Sequence, residues 1–380
     1  MKKICFVTTI SLTLRSFFLE TAKYIHENTD WDVTFICDYD EEFAEILPDY
    51  IHYIPIPMKR GISIEGIKAM LQMKKIFQKE NFDLIQYSTP NAALYASIAS
   101  KLSGCKIRNY HLMGFRYLGA FGFSRTCLKC IERFTCRLST SIECVSQSNL
   151  EFGVQENVFA REKATVVWNG STGGVDLSKF DFTQREMWRT QVRKEIGINQ
   201  NDFVFGFVGR ITKDKGINEL LEAFFNLKTK AKLLIVGNLE NINSLDDSLW
   251  NKALNASDVK IIDARTDIER YFSAMDVLVL PSYREGFGNV IIEAGAVGTP
   301  SIVTNIPGPI DAIENGKTGV TVIKGDSSDL LKKMELAVSK GLFESPEYCS
   351  EFVKNHFDSL ILNKYILKRK QQLLSEVEKI

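Results

Sequence analysis

The sequence predicts two doubly wound α/β domains, each built on a parallel β-sheet. Strand-like apolar runs alternate with helical patterns along the chain, which is typical of parallel α/β folds. The length of 380 residues is too great for one ordinary domain and sufficient for two hydrophobic cores. A segment rich in glycine and small polar residues, 166–176, separates the two series of elements and is predicted to link the domains.

Each domain can be laid out from its hydrophobic pattern. In the N-terminal series, strands are predicted at 4–8, 33–37, 84–87 and 141–144, and helices at 17–28 and 64–79. In the C-terminal series, strands are predicted at 203–208, 232–237, 259–262 and 275–282, and a helix at 290–296. We place the N-terminal domain at 1–170, the C-terminal domain at 171–350, and a basic helical tail at 351–380.

The composition argues against several classes of protein. Lysine and arginine together number 47, and aspartate and glutamate also number 47, so the net charge does not favour broad nucleic-acid binding. No apolar stretch approaches the ~20 residues needed to cross a bilayer. The apolar run after the first lysines has only the length of a strand and lacks a cleavage site, so we expect it to be the first β-strand and not a signal peptide. We therefore expect a cytoplasmic protein that binds no nucleic acid.

The most informative segment, 283–293, sets two carboxylates on either side of a glycine-rich helix start. Glu285 lies in the loop after a predicted buried strand, and Glu293 lies inside the following helix. The amides at the start of this helix lack intrahelical acceptors and, with the helix dipole, favour an anion. These amides belong to Gly286, Phe287, Gly288 and Asn289. A diphosphate fits between the two acids.

A second motif, 209–217, follows the first strand of the C-terminal domain and begins with Gly209. Arg210 and Lys215 can both reach a diphosphate, and two fixed cations would stabilise the negative charge of such a group. The alternative, that both are solvated loop residues, is reasonable for either alone and poor for the pair. Lys213 and Asp214 are predicted to be solvated.

These motifs resemble a known family. Glu285 and Glu293, with seven residues between them, resemble the E-x7-E motif of retaining glycosyltransferases with the GT-B fold, family 4 (glycosyltransferase group 1). Residues 209–217 resemble the family's phosphate-binding G-R-x-x-x-x-K-G segment, and residues 274–282 resemble its conserved strand. The resemblance extends in order through the C-terminal half of the chain.

The resemblance implies a GT-B architecture, in which two Rossmann-like, doubly wound parallel-sheet domains face a central cleft and the tail packs back toward the N-terminal domain. It also implies a nucleoside-diphosphate sugar as co-substrate, with a UDP-sugar expected, and neither a metal nor another cofactor. Glu285 would contact hydroxyls of the transferred sugar, and Glu293 would hold the ribose hydroxyls. The alternative for Glu293 is an ordinary acid on the helix surface.

Two further site residues are implied more weakly. Arg265 occupies a loop that approaches the base in the family, but a solvated loop residue is an equal alternative. His111 lies three residues before Gly114, whereas the family commonly places a histidine directly before a glycine. His111 is therefore a candidate catalytic residue, with a packing histidine as the alternative. The first strand-to-helix loop, 8–13, also lacks the glycine pair that many members carry.

The segment 101–140 is the candidate contact for the acceptor. It carries eight basic residues against one acid, Glu132, and aromatic side chains are interleaved with them. Such a surface suits anionic lipid headgroups or a lipid diphosphate at the bilayer interface. A solvated basic helix with its other face in the core is the alternative. Many bacterial family members extend lipid-linked glycans, and this favours peripheral membrane association.

Two patterns point elsewhere and are given less weight. Asp38 and Asp40 spell the D-x-D by which GT-A glycosyltransferases bind a metal, but acidic neighbours favour a solvated loop. Cys127 and Cys130 have a C-x2-C spacing, yet no second pair completes a zinc site. Buried or half-buried thiols on a helix, in a reducing compartment, are the better interpretation.

We therefore predict a metal-independent, retaining hexosyl or acetamido-hexosyl transferase at the inner face of the cell membrane. The acceptor would be a polyprenyl-diphosphate-linked glycan for capsule, O-antigen or exopolysaccharide. A sugar-nucleotide epimerase of the same fold is one alternative. A non-catalytic sugar-nucleotide-binding partner in a polysaccharide assembly complex is the other.

Overall fold

In a computed structural model of the protein, residues 1–58, 61, 63–240 and 245–378 are described. The chain divides into two units, each of which we describe by itself. Unit 1 comprises residues 1–173 and 360–380, and unit 2 comprises residues 174–359. The divisions fall after residues 173 and 359, whereas the sequence placed them after 170 and 350. The last two residues of the predicted tail lie outside the described residues.

Unit 1 contains a seven-stranded parallel sheet with the order β3-β2-β1-β4-β5-β6-β7. The strands are β1 (Lys3–Val7), β2 (Asp32–Cys37), β3 (Ile51–Pro55), β4 (Leu84–Ser88), β5 (Ile107–Leu112), β6 (Ser141–Cys144) and β7 (Ala164–Val166). The connecting helices are α1 (Ser11–Phe17), α2 (Leu19–Asn28), α3 (Glu41–Ile46), α4 (Ile64–Glu80), α5 (Pro90–Leu102), α6 (Gly122–Leu138) and α7 (Gln147–Gln155).

Unit 2 contains a six-stranded parallel sheet with the order β10-β9-β8-β11-β12-β13. The strands are β8 (Val204–Val208), β9 (Lys232–Val236), β10 (Val259–Ile262), β11 (Val277–Leu280), β12 (Ser301–Thr304) and β13 (Gly319–Val322). The helices are α8 (Arg185–Glu195), α9 (Ile217–Phe225), α10 (Asp247–Asn255), α11 (Ile268–Ala274), α12 (Asn289–Ala296), α13 (Ser327–Lys340) and α14 (Pro346–Phe357). The final helix, α15 (Ser359–Glu378), returns the chain to unit 1.

The core of unit 1 lies on both faces of its sheet. Successive side chains of a strand point to opposite faces, and β1 accordingly sends Cys5 into one apolar cluster and Ile4 and Phe6 into another. Leu367 and Leu373 of α15 belong to the second cluster. The helix is therefore part of the packed core of unit 1.

The strand order of unit 2 reverses between β8 and β11, which pair side by side. In open α/β sheets a ligand binds beyond the carboxyl ends of the strands at such a switch point. The amino ends of the same two strands are fixed by Asp276, whose carboxylate accepts hydrogen bonds from Arg189 at 2.6 Å, Arg193 at 2.8 Å and the Val204 amide at 2.7 Å. The opposite, carboxyl edge is left to carry the loops of the candidate site.

Candidate active site

Two loops follow the strands at the switch point: the β8 loop, residues 209–216, and the β11 loop, residues 281–288. The β8 loop begins at Gly209, whose φ of 147° suits glycine. Its carbonyl oxygen would lie 1.8 Å from a Cβ placed on Gly237 after β9, so two glycines allow this close passage. At the other end, a Cβ on Gly216 would lie 2.1 Å from the carbonyl oxygen of Pro281. The two loops therefore touch through their backbones.

The loops also meet through an ion pair. Lys215 donates a hydrogen bond from Nζ to Oε1 of Glu285 at 2.6 Å. Their side chains are 16% and 12% exposed, so the pair is partly shielded but open to solvent. The structure thus brings together a cation of one sequence motif and a carboxylate of the other.

Arg210 is the second cation of the β8 loop. Its side chain is 48% exposed and donates to Oε2 of Glu240 at 2.7 Å. It also lies 3.9 Å from a carboxylate oxygen of Asp214. The exposed Glu240 and the half-buried Asp214 hold this guanidinium at the surface, where an anionic ligand can compete for it.

The prediction that Asp214 is solvated is wrong. Its carboxylate accepts hydrogen bonds from Thr212 Oγ1 at 2.5 Å and from Arg284 Nη2 at 3.0 Å. Burial raises the pKa of Asp214, but the Thr212 hydrogen bond and the nearby cations outweigh burial and lower the pKa below its usual value.

Helix α12 starts beside the ion pair. Gly288 caps it with a φ of 87°, a conformation that glycine adopts without strain. Phe287 is buried and its ring packs edge-on against Phe357 at 5.4 Å between centroids. Gly308 passes so close that a Cβ there would lie 2.4 Å from the carbonyl oxygen of Gly286. These contacts fix the backbone that presents Asn289 and the helix N-terminus.

Glu293 lies in the second turn of α12 and is partly exposed. Burial of the carboxyl raises its pKa from 4.5 to about 7, while Lys179 acts in the opposite direction and Glu269 adds to the rise. No hydrogen bond to Glu293 is formed by the described residues. It is therefore a carboxyl group with unused acceptor capacity near neutral pH.

Lys179, whose charge lowers the pKa of Glu293, contacts the loop after β10 and the helix that follows it. Its ammonium group lies 3.7 Å from Oε2 of Glu269 and donates to the carbonyl oxygen of Thr266 at 2.9 Å. Arg265, in the same loop, is exposed, donates to Asp267 at 3.1 Å, and lies over the Tyr271 ring at 5.6 Å. Lys179 and Glu269 were not predicted as site residues, because neither belongs to a recognisable motif.

Comparison with known proteins identifies the family. Residues 189–356 match the family described as "Glycosyl transferases group 1", and residues 3–146 match "Glycosyl transferase 4-like". The capsular polysaccharide biosynthesis glycosyltransferase CapM of Staphylococcus aureus is 35% identical over 305 residues, covering 79% of this chain and 77% of CapM. The chain belongs to the group 1 glycosyltransferases. The predicted family is thereby confirmed.

One further relative and one solved structure are similar to this glycosyltransferase. The UDP-Gal:alpha-D-GlcNAc-diphosphoundecaprenol alpha-1,3-galactosyltransferase of Escherichia coli is 27% identical over 317 residues, covering 81% of this chain and 80% of that protein. The crystal structure of Anabaena HepE in complex with UDP and glucose has a TM-score of 0.77 at 19% identity, covering 98% of this chain and 100% of HepE. The predicted GT-B fold class is confirmed.

In unit 1 of the glycosyltransferase, His111 lies in β5 and not in the loop that follows it. Its side chain is 13% exposed and its Nδ1 lies 4.0 Å from a carboxylate oxygen of Glu143. Burial lowers the pKa of the imidazole, and the Glu143 carboxylate only partly offsets this. Neither ring nitrogen has a hydrogen-bond partner among the described residues. The ring is therefore neutral near pH 7 and borders a pocket lined also by Thr21 and Ser171.

The structure shows the surroundings of the D-x-D and C-x2-C patterns. Asp40 caps α3 by accepting a hydrogen bond from the Phe43 amide at 3.0 Å, and it also accepts one from Ser11. Cys127 is half-buried on α6, whereas Cys130 is exposed, contrary to the expectation that both are shielded. Within the described ranges, no group of three or more His, Cys, Asp or Glu residues is placed to hold a metal ion.

The segment 101–140 is divided between core and surface. Tyr117 and Phe115 are buried, so they are not part of a contact surface. Glu132 is buried as well and accepts a hydrogen bond from the Tyr110 hydroxyl at 2.7 Å. Several of the basic side chains form hydrogen bonds within the protein. Arg133, for example, donates to the carbonyl oxygens of Glu156 and Asn157, just after α7. The exposed basic and aromatic side chains of the segment are Lys101, Lys106, Arg116, Phe121, Phe123, Arg125, Arg133, Phe134 and Arg137.

No helix among the described residues of the glycosyltransferase combines the length and the apolarity that crossing a membrane requires.

Proposed function

We propose that this glycosyltransferase transfers a hexose or acetamido-hexose, with retention and without a metal, from a UDP-sugar to a polyprenyl-diphosphate-linked glycan of a surface polysaccharide. The observation that carries the proposal is the Lys215–Glu285 pair at 2.6 Å beside Arg210, at the switch point of a parallel sheet. The curated relatives support the acceptor class, since one is named for capsular polysaccharide biosynthesis and another for a diphosphoundecaprenol-linked acceptor.

Each charged side chain has a proposed partner on the donor. Arg210 and Lys215 bind the diphosphate, because both are cations at the carboxyl end of β8. Glu285 accepts hydrogen bonds from hydroxyls of the transferred sugar, and Glu293 accepts them from the ribose diol. Arg265 lies beside the base. The backbone that approaches the donor belongs to Gly209, Gly286, Phe287, Gly288 and Asn289.

The proposed reaction requires no cofactor beyond the nucleotide sugar. The acceptor hydroxyl forms a bond to the anomeric carbon on the face from which the diphosphate leaves. The bond between that carbon and the diphosphate oxygen breaks, and the acceptor proton passes to a phosphate oxygen, so that UDP is released. Arg210 and Lys215 stabilise the charge that develops on the diphosphate, which is the work a divalent cation performs in other transferases.

His111 is proposed as a neutral hydrogen-bonding group in unit 1. Its lowered pKa leaves the imidazole uncharged near neutral pH, and both ring nitrogens lack partners among the described residues. A neutral imidazole can donate to one oxygen and accept from another hydroxyl. We expect His111→Ala to reduce turnover while leaving UDP affinity unchanged, which separates a role in transfer from a role in donor binding.

We further propose that the enzyme works on the inner face of the cell membrane as a peripheral protein. Phe121 and Phe123 are 86% and 84% exposed at the start of α6, and Arg125 follows on the same helix. Exposed aromatic side chains with neighbouring cations favour the headgroup region of an anionic bilayer. This would bring the enzyme to a lipid-linked acceptor.

Vesicle sedimentation tests the membrane proposal. The double variant Phe121→Ser, Phe123→Ser should bind phosphatidylglycerol-containing vesicles at least tenfold more weakly, since burying one phenylalanine side chain is worth about 1.5–3 kcal/mol. Leu254→Ser, which removes a similarly exposed apolar side chain in unit 2, is the control. Equal binding by the double variant and the wild type would refute this surface.

Thermal-shift binding of UDP-, GDP-, ADP- and dTDP-sugars in EDTA tests the donor site. The proposal predicts stabilisation by the UDP-sugars, lost in Lys215→Ala and in Glu293→Ala, because only the native state binds the donor. Stabilisation that appears only with added Mg²⁺ would contradict metal independence. A bound donor whose sugar is isomerised without an acceptor would favour an epimerase, and a bound donor that is never consumed would favour a non-catalytic partner.

A further inference from the structure

Two ion pairs join the β8 loop to the β11 loop. The β8 loop supplies the acid in one pair and the base in the other. Asp214 in the first loop pairs with Arg284 in the second at 3.0 Å, and the adjacent Lys215 pairs with Glu285 at 2.6 Å. The backbone joins them as well, since the Tyr283 amide donates to the carbonyl oxygen of Asp214 at 2.9 Å. Because the members of the two pairs are neighbours in the chain, the first pair sets where the second pair meets.

If the proposed function is correct, donor binding affects the two ion pairs differently. A bound donor engages Lys215 through its diphosphate and Glu285 through its sugar, so their mutual hydrogen bond must be weakened or shared. The proposed donor contacts do not include the Asp214 side chain, which Thr212 holds in place through a 2.5 Å hydrogen bond. The loops then need a contact that survives donor binding.

We propose that Asp214 is a positioning residue of the donor site. Its pair with Arg284 holds the two loops together when a bound donor draws Lys215 and Glu285 apart. This inference rests on the proposed function and extends it to two side chains that do not themselves touch the donor.

An alternative role for Asp214, competition with the diphosphate, predicts the opposite change in UDP affinity. Asp214 also lies 3.9 Å from Arg210, so it could compete with the diphosphate for that cation. A competing carboxylate weakens donor binding, whereas a positioning carboxylate strengthens it. The sign of the change in UDP affinity therefore decides between the two.

Calorimetric titration of UDP into Asp214→Asn, Arg284→Gln and the double variant tests the proposal. Each single substitution should weaken UDP binding about tenfold, and the double variant should be no weaker than either single, because residues that act as one pair are not additive. Melting temperatures without ligand should stay within about 2 °C of wild type, which a merely structural role would not allow. Asp258→Asn removes an ion pair with Lys232 at the amino-terminal edge of the same sheet and should bind UDP normally.

Lys215→Ala separates failure of this inference from failure of the proposed function. If Lys215→Ala binds UDP as wild type does, both the proposed donor site and this inference are wrong. If it loses binding while Asp214→Asn matches or exceeds wild type, only the positioning role of Asp214 is overturned. Additive losses in the double variant would likewise overturn it, since they would mean that Arg284 contacts UDP independently of Asp214.

Discussion

Two of the lysine–glutamate pairs that join distant parts of the chain, one in each unit, differ in what surrounds them. In unit 1, Lys370 of α15 is fully buried and donates to both carboxylate oxygens of Glu143, at 2.7 and 2.9 Å, and also to Gln86. In unit 2, Lys215 makes one hydrogen bond to Glu285, and both side chains are partly exposed. The first pair has its bonding capacity filled by protein, and the second has capacity left for a ligand.

If Lys215 and Glu285 bind the donor as proposed, this difference separates a structural ion pair from a functional one. Burial raises the pKa of Glu143, but the charge of Lys370 more than compensates and holds that pKa well below its usual range. Such a pair is costly to assemble and costly to break, and it fixes one arrangement of α15 on the sheet. A partly exposed pair contributes little to stability and can be rearranged when a ligand supplies competing charges.

The largest expected effect is on the stability of unit 1. Lys370→Met leaves Glu143 buried without its cation, and we expect the free energy of unfolding to fall by about 3–5 kcal/mol. Urea denaturation followed by circular dichroism measures it, with Lys364→Met, an exposed lysine of the same helix, as the control. Adding Glu143→Gln should recover part of the loss. A loss below about 1 kcal/mol, the range of ordinary surface substitutions, would contradict the comparison.

The next effect is on turnover and not on stability. Lys215→Ala removes a cation from the leaving diphosphate, and we expect the rate of UDP release to fall by roughly 10²–10³-fold, as for other lost electrostatic contacts in a transition state. The unfolding free energy should change by no more than about 1 kcal/mol. Lys213→Ala, in the same loop and exposed, should leave the rate unchanged. If both lysine variants lose the same activity, the assignment of Lys215 is wrong.

A pH dependence should follow from Glu293. Its raised folded-state pKa means that the native state holds more protons than the unfolded state between pH 4.5 and about 7, so its contribution to stability falls as the pH rises through that window. UDP-glucose affinity should rise over the same window, since the ionised carboxylate accepts both ribose hydrogen bonds. UDP-glucose is the appropriate probe, because its diphosphate does not titrate there. Titrations should show this dependence in wild type and lose it in Glu293→Gln, and identical pH profiles would count against the ribose contact.

The smallest effect is expected at Asp40, an acid that resembles a functional motif and serves a structural purpose. Asp40→Ala removes the cap of α3, so the melting temperature should fall slightly, by less than in any variant of the buried pair. Turnover should be unchanged, and we expect that neither the variant nor the wild type requires Mn²⁺. A requirement for Mn²⁺ that depends on Asp40 would support a metal-binding D-x-D motif. It would also contradict the structural role that we assign to this acid of unit 1.

The sequence predicted the candidate donor-site motifs of unit 2 because their residues lie close together in the chain. Gly209, Arg210 and Lys215 fall within seven consecutive residues, and Glu285 and Glu293 fall within nine, so spacing alone shows the pattern. The strands that support them are continuous apolar runs, as expected for a sheet buried on both faces. Their placement on neighbouring strands followed from the fold class.

Contacts between distant residues could not be predicted in this way. Lys370 and Glu143 are 227 residues apart, and Asp214 and Arg284 are 70 apart, so neither pair leaves a pattern in any short window. Three strands of unit 1 were also missed. Strand β5 mixes Arg108 and Asn109 with apolar residues, β3 ends at Pro55, and β7 has only three residues, so none has the apolar run that marks a strand.

A crystal structure of the protein with a UDP-sugar, grown in EDTA, tests the central claim most directly. We predict that the diphosphate lies within about 3 Å of the Lys215 ammonium and the Arg210 guanidinium, with the Lys215–Glu285 bond lengthened and the Asp214–Arg284 pair intact. The Lys370–Glu143 pair should be unchanged. A nucleotide bound elsewhere, or a diphosphate that leaves the 2.6 Å bond between Lys215 and Glu285 undisturbed, would contradict the assignment of this pair to the donor.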